Sequence, residues 1–248
     1  MRIAFLHIPK TAGQSIHHSL INLFPKDSIC PARTNSALHK YAVSDLSRYR
    51  LFSGHLDWSI VKQSGPFDFV FTVLRDPLDR IFSFYFYLRK EAEIFQAEGK
   101  PLGAGMQAAL QYTPEQYFSG GQAGMRRFLD NHYNNFYAYY FASGCYSGHS
   151  LLAKKFPPGS SELLHYAQCG LRELDGVYTL SNLHRLEADI SSLTHKEIPQ
   201  IHKANENKQV QPAARQKLLT DLSGSWDWRP TLNKMIATDE VLYKDFES

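Results

Sequence analysis

The sequence predicts an α/β protein in which helices flank a central parallel sheet, a three-layer sandwich spanning residues 1–248 as a single domain. Three observations carry this. Short apolar runs end in turns and pass straight into apolar spacing of helical period, twice in the first third of the chain. The strand–loop–helix order recurs later, which implies right-handed crossovers and parallel pairing. No repeat, low-complexity tract or linker divides the chain, and 248 residues are enough for one sizeable core.

The first run, Arg2 to His7, reads as a buried parallel strand. A turn from Pro9 to Gly13 follows, and Ile16, Leu20 and Leu23 then predict a helix over 14–24. A second strand is expected from Phe67 to Leu74. Its helix begins at once: Asp76 can cap, Pro77 suits the first helical position and Asp79 lies in the positive first turn. Ile81, Phe82, Tyr85 and Leu88 form that helix's apolar stripe. Residues 99–148 read as helical pieces joined by glycine-rich turns. A strand at Gly176 to Leu180 and helices over 183–193, 212–222 and 231–246 complete the chain.

Hydrophobic residues make up 43% of the sequence and charged residues 21%, as in ordinary globular proteins. A net charge of +3 leans toward anionic ligands and does not argue for nucleic acid. Cys30, Cys145 and Cys169 are too widely spaced for a disulfide framework or a metal clamp, so reduced cysteines and a cytoplasmic location are expected. No apolar stretch approaches the ~20 residues of a membrane span, and the opening run lacks a secretory cleavage pattern. Read as complete, the chain begins directly at its first core strand.

Two strand–helix junctions carry the chemistry. His7-Ile8-Pro9-Lys10-Thr11-Ala12-Gly13-Gln14-Ser15 offers an anion the unpaired N–H groups and positive dipole of a helix start. Gly13 permits close backbone approach, Thr11 and Ser15 add hydroxyls, and Lys10 adds charge. A Walker loop places its lysine after the last glycine; here Lys10 precedes Gly13 and the first glycine is missing, which argues against an ATP-dependent kinase. Taken alone, the segment could equally be a tight turn with a solvated lysine. At the second junction Arg75 ends a strand and Ser83 lies two turns into the next helix. An arginine fork suits a terminal phosphate, although Arg75 could instead pair locally with Asp76 or Asp79.

Together these segments resemble the PAPS-dependent sulfotransferases, in particular the carbohydrate group that includes heparan sulfate 2-O-sulfotransferases. PAPS is 3′-phosphoadenosine-5′-phosphosulfate. Ile8 to Ser15 resembles that family's 5′-phosphosulfate loop, and Val73 to Tyr85 its 3′-phosphate motif. Gln14 stands where relatives usually carry Thr or another small polar residue. Leu180 to Glu187, Asn205 to Lys208 and Asp239 to Tyr243 resemble its late strand–helix segment, donor-covering loop and closing helix.

The resemblance implies a P-loop-like sandwich that binds PAPS through Lys10, Thr11, Ala12, Gly13, Gln14, Ser15, Arg75 and Ser83, releases adenosine 3′,5′-bisphosphate (PAP), and needs no metal. Lys10 would offset leaving-group charge. Ser53-Gly54-His55-Leu56-Asp57-Trp58 is similar to the segment bearing the family's catalytic histidine. An imidazole pKa of about 6.5 suits a base near neutrality. By its own residues alone His55 reads more readily as satisfying a turn, and Asp57 could equally cap the next helix. His7 could touch the donor or sit satisfied in the core. The acceptor is a hydroxyl compound, with a glycan favoured. Arg126 and Arg127 could face an acidic glycan or only solvent, and the tyrosines between Tyr133 and Tyr140 could stack on sugars or fill the core. A non-catalytic anionic-glycan-binding module is the remaining alternative.

Overall fold

The structure, a computed structural model, describes residues 1–120, 123–198, 201 and 211–247. The first apolar run becomes β1 (Ile3–Leu6), every residue of it buried. Because side chains alternate across a strand, Ile3 and Phe5 join one core cluster while Ala4 and Leu6 join another on the opposite face. Helix α1 (Gly13–Ile21) covers the first face with Ile16 and Leu20.

The sequence pattern predicts three strands; the sheet has four, in the order β2-β1-β3-β4, all parallel. The additional strand is β2 (Leu51–Gly54), which is buried throughout although it is short and contains Ser53 and Gly54. The others are β3 (Phe69–Leu74) and β4 (Gly176–Thr179), each within a residue or two of expectation. In register, Leu6 lies opposite both Gly54 and Thr72, so β1 and β2 end level with each other while β3 runs two residues further to Leu74.

Helix α2 (Pro77–Ala97) starts as expected: the Asp79 N–H donates to the Asp76 carboxylate at 2.7 Å, with Pro77 in the first turn. Its stripe of Ile81, Phe82, Tyr85 and Leu88 is buried in a satellite core with Leu129, Trp228 and Leu232. The middle of the chain is helical pieces, among them α3 (Ala123–His132) and α4 (Phe136–Ser143). Tyr137, Tyr139 and Tyr140 fill the core beneath the sheet, and their hydroxyls donate to the carbonyls of Arg75, Phe156 and Leu56. They are packing residues with satisfied tips and not a sugar-stacking surface.

Helix α5 (Ser161–Arg172) packs on α4, and α6 (Leu183–Thr194) covers the α1 face, which completes the third layer. The tail forms α7 (Pro212–Ser223) and α8 (Arg229–Lys244). Asp239 of α8, wholly buried, accepts the Tyr137 and Ala138 N–H groups and so caps α4. Burial raises its pKa to about 7. Asn205 to Lys208 lie outside the described residues. All three cysteines are unpaired. Among the described residues, no helix is long and apolar enough to cross a membrane.

Candidate active site

Three neighbouring strands each stop one residue short of a chemically active side chain: β1 before His7, β2 before His55 and β3 before Arg75. Ligands of parallel sheets bind beyond these ends. A cleft of about 260 Å³ opens there, lined by His7, Pro9, Lys10, the turn from Ala12 to Ser15, His55, Phe84 and Tyr87.

The loop is held in a strained form. Lys10 and Ala12 both adopt left-handed φ, 73° and 64°, at a cost of roughly 1–2 kcal/mol each. Alternating hands turn successive N–H groups toward one side, as anion-binding nests do. The Gly13 and Gln14 N–H groups, in the first turn of α1, have no main-chain acceptor among the described residues. Thr11 contributes differently from expectation: it is buried, and its hydroxyl donates to the Ile8 carbonyl at 2.9 Å inside the loop, away from the cleft. The need for glycine at 13 also has a specific cause. A Cβ there would lie 1.7 Å from Nε2 of His7, whose ring packs directly against the turn.

Lys10 folds over the Tyr87 ring, its Nζ 3.8 Å from the ring centre. Burial lowers its pKa to about 8, helped by Arg75 and Arg215 and opposed by Glu91. The ammonium is therefore poised to gain from any anion placed beside it.

Arg75 lies at the back of the loop. Its NH1 donates to the Lys10 carbonyl at 3.0 Å and to Ser83 Oγ at 3.1 Å, and its Nε donates to Asp79 Oδ2 at 2.6 Å. The two junctions read from sequence are thus bonded to one another, with Ser83 included. The local ion pair forms with Asp79, and it leaves part of the guanidinium unused. Its NH2 is buried without a hydrogen-bond partner among the described residues. Leaving such a donor unmet is costly, and an anion's oxygen would satisfy it.

His55 is fixed by its Nδ1, which lies 2.8 Å from the His7 carbonyl. A carbonyl only accepts, so Nδ1 carries the proton and Nε2 keeps the lone pair. Tyr146 donates to the same carbonyl and lies 3.2 Å from Nδ1. Burial is the main cause of a lowered His55 pKa, with Arg33 and Lys10 adding to it and the His7 carbonyl opposing it. The imidazole is accordingly neutral at neutral pH, the form a base requires. His7 is buried against it, ring centres 4.2 Å apart, and its Nδ1 has no partner among the described residues. Gly54 allows the Arg33 backbone to pack alongside: the His55 N–H donates to the Arg33 carbonyl at 2.9 Å, where a Cβ on Gly54 would come within 2.7 Å.

Asp57 sits at the N-cap of the short helix Trp58–Val61, but its side chain does not cap it. Its Oδ1 instead accepts from Asn35 Nδ2 and from the Tyr146 N–H, both at 2.7 Å. It braces the segment that delivers Tyr146 to His55. Arg126 and Arg127 are exposed on α3, and Arg126 pairs with Asp130 at 3.4 Å. Neither lines the cleft. Gly121 and Gln122, before α3, lie outside the described residues. No cluster of three His, Cys, Asp or Glu side chains capable of holding a metal occurs among the described residues.

A sulfotransferase family model matches residues 1–244, nearly the whole chain. The protein belongs to the sulfotransferase family. No curated protein matches it. As a sulfotransferase it is a transferase of sulfuryl groups, and the α/β sheet with flanking helices is consistent with that assignment.

Sequence reasoning missed four residues in or around the candidate site. Tyr87 follows Ser83 by one helical turn, so it could have been placed on the same side of α2. Tyr146, Arg33 and Arg215 arrive from distant segments, and no local pattern points to them. Gln14, exposed at the first turn, lines the cleft.

Proposed function

We propose that this sulfotransferase moves the sulfuryl group of PAPS to a hydroxyl of a carbohydrate acceptor, with His55 as the general base. The observation that carries the reading is the bond from Arg75 NH1 to the Lys10 carbonyl. It ties a loop suited to a phosphosulfate to a guanidinium with an unmet N–H, as a nucleotide phosphorylated at both ends requires. The Gly13 and Gln14 N–H groups and Lys10 would receive the 5′ end; Arg75 and Ser83 would receive the 3′-phosphate.

The acceptor hydroxyl would lie against Nε2 of His55, which takes its proton as the acceptor oxygen bonds to sulfur. The sulfur–oxygen bond to the 5′-phosphate breaks in line, and PAP leaves with its electron pair. Lys10 offsets the charge that develops on the departing phosphate, by the positioning and electrostatic means that serve phosphoryl transfer. His55 then releases its proton to solvent. Three unpaired cysteines accord with a cytoplasmic setting for this activity.

Radiolabelled sulfate transfer from PAPS, run across a panel of glycans, lipids and small alcohols, tests the proposal. Labelled glycan is the expected product. Transfer only to a lipid or small alcohol would overturn the carbohydrate assignment, and no transfer to any member would overturn the reaction.

A further inference from the structure

Asp79 lies between two guanidiniums. Arg75 reaches it from the end of β3 through Nε. Arg215, on α7 and 136 residues distant, donates Nε to Oδ1 at 2.9 Å and NH2 to Oδ2 at 3.0 Å. All three side chains are buried. One carboxylate thus serves two arginines, and the cluster retains a surplus positive charge in a desolvated place. Lys10, on which both arginines act electrostatically, adds to that surplus, and Glu91 opposes it there.

The arrangement also fixes direction. Asp79 holds the Nε edge of Arg75, and Ser83 and the Lys10 carbonyl hold NH1, so NH2 alone is left over. Arg215 clamps both oxygens of Asp79 in a bidentate fork, which keeps the carboxylate from turning away. Helix α7 has anchors besides this ion pair. Leu219 is wholly buried in the satellite core, and the Trp228 Nε1–H donates to Thr220 Oγ1 at 3.1 Å.

We infer that Arg215 is a specificity-determining positioning residue: acting through Asp79, it aims the unmet NH2 of Arg75 at a terminal phosphate on the ribose, so that the protein selects a 3′,5′-bisphosphorylated nucleotide over a 5′-monophosphate. The inference rests on the donor reading above. It adds a residue from the C-terminal part of the chain that neither junction contains.

The test is calorimetric titration of wild type, Arg215→Ala and Arg215→Lys with PAP and with adenosine 5′-monophosphate. Losing the fork should weaken PAP by about tenfold or more while the monophosphate changes by less than about twofold, because the energy of charge-assisted hydrogen bonds is withdrawn from one phosphate only. Arg215→Lys keeps the charge without the fork, so it should also lose selectivity; it supplies the same readout if the alanine variant does not fold. Equal weakening of both nucleotides, or no weakening, overturns the inference and leaves the donor reading intact. A wild-type protein that binds neither nucleotide overturns the donor reading and this inference with it.

Discussion

If Lys10 must be charged to receive the phosphosulfate, its lowered pKa places an alkaline limb in the rate profile. With a pKa of about 8, raising the pH from about 7 to about 9 takes its protonated fraction from roughly 0.9 to roughly 0.1, whereas a lysine near 10.5 would stay almost fully charged. The sign follows from the charged form being the active one: activity is present below the folded pKa and is lost as pH rises through it. kcat/KM for PAPS, which reports the free enzyme, should fall close to tenfold across that interval. Bound donor is an anion and raises the ammonium's pKa, so the limb in kcat should move upward. The assay is initial-rate sulfate transfer at PAPS concentrations below KM, with Lys10→Arg as the control. An arginine stays charged throughout, so whatever activity that variant keeps should lack the limb. A wild-type kcat/KM that stays flat past pH 10, or an equal limb in Lys10→Arg, would refute the assignment of charge to Lys10.

His55→Ala should lower kcat by about 10²–10⁴-fold with PAP affinity unchanged, measured by transfer rates alongside calorimetry; unchanged kcat would remove His55 as the base. Because His55 acts as the neutral imidazole and its pKa is lowered chiefly by burial, wild-type activity should fall only as pH drops through a value below about 6.5. Tyr146→Phe removes the hydroxyl that shares the His7 carbonyl with His55; about a tenfold loss of kcat with intact PAP binding is expected, and loss of PAP binding instead would assign Tyr146 to the donor. Gly13→Ala forces a methyl into the His7 ring and should destabilise the fold by about 1–3 kcal/mol in denaturant melts. That cost should be smaller in a His7→Ala background, as coupling between contacting residues requires.

Much of this architecture is legible from local chemistry. The β1 run, the Lys10–Ser15 turn and the Asp76–Pro77 start of α2 each combine a periodic apolar pattern with a cap or breaker, and each forms where expected. β2 escapes because its four residues include Ser53 and Gly54, too short and too polar to register as an apolar run. Tertiary pairing with β1 makes it a strand, and that same pairing delivers His55. Asp57 has the position of a cap, but the Asn35 amide and the Tyr146 N–H claim its carboxylate. The Asp79–Arg215 fork spans 136 residues, and no window of sequence contains it.

A melting titration with PAP tests the central claim most directly, that the Lys10 loop and the Arg75 guanidinium hold opposite ends of one nucleotide. The protein should bind a single PAP and gain about 4 kcal/mol of stability at a thousandfold excess over Kd. A melting temperature unmoved by PAP at millimolar concentration would contradict it.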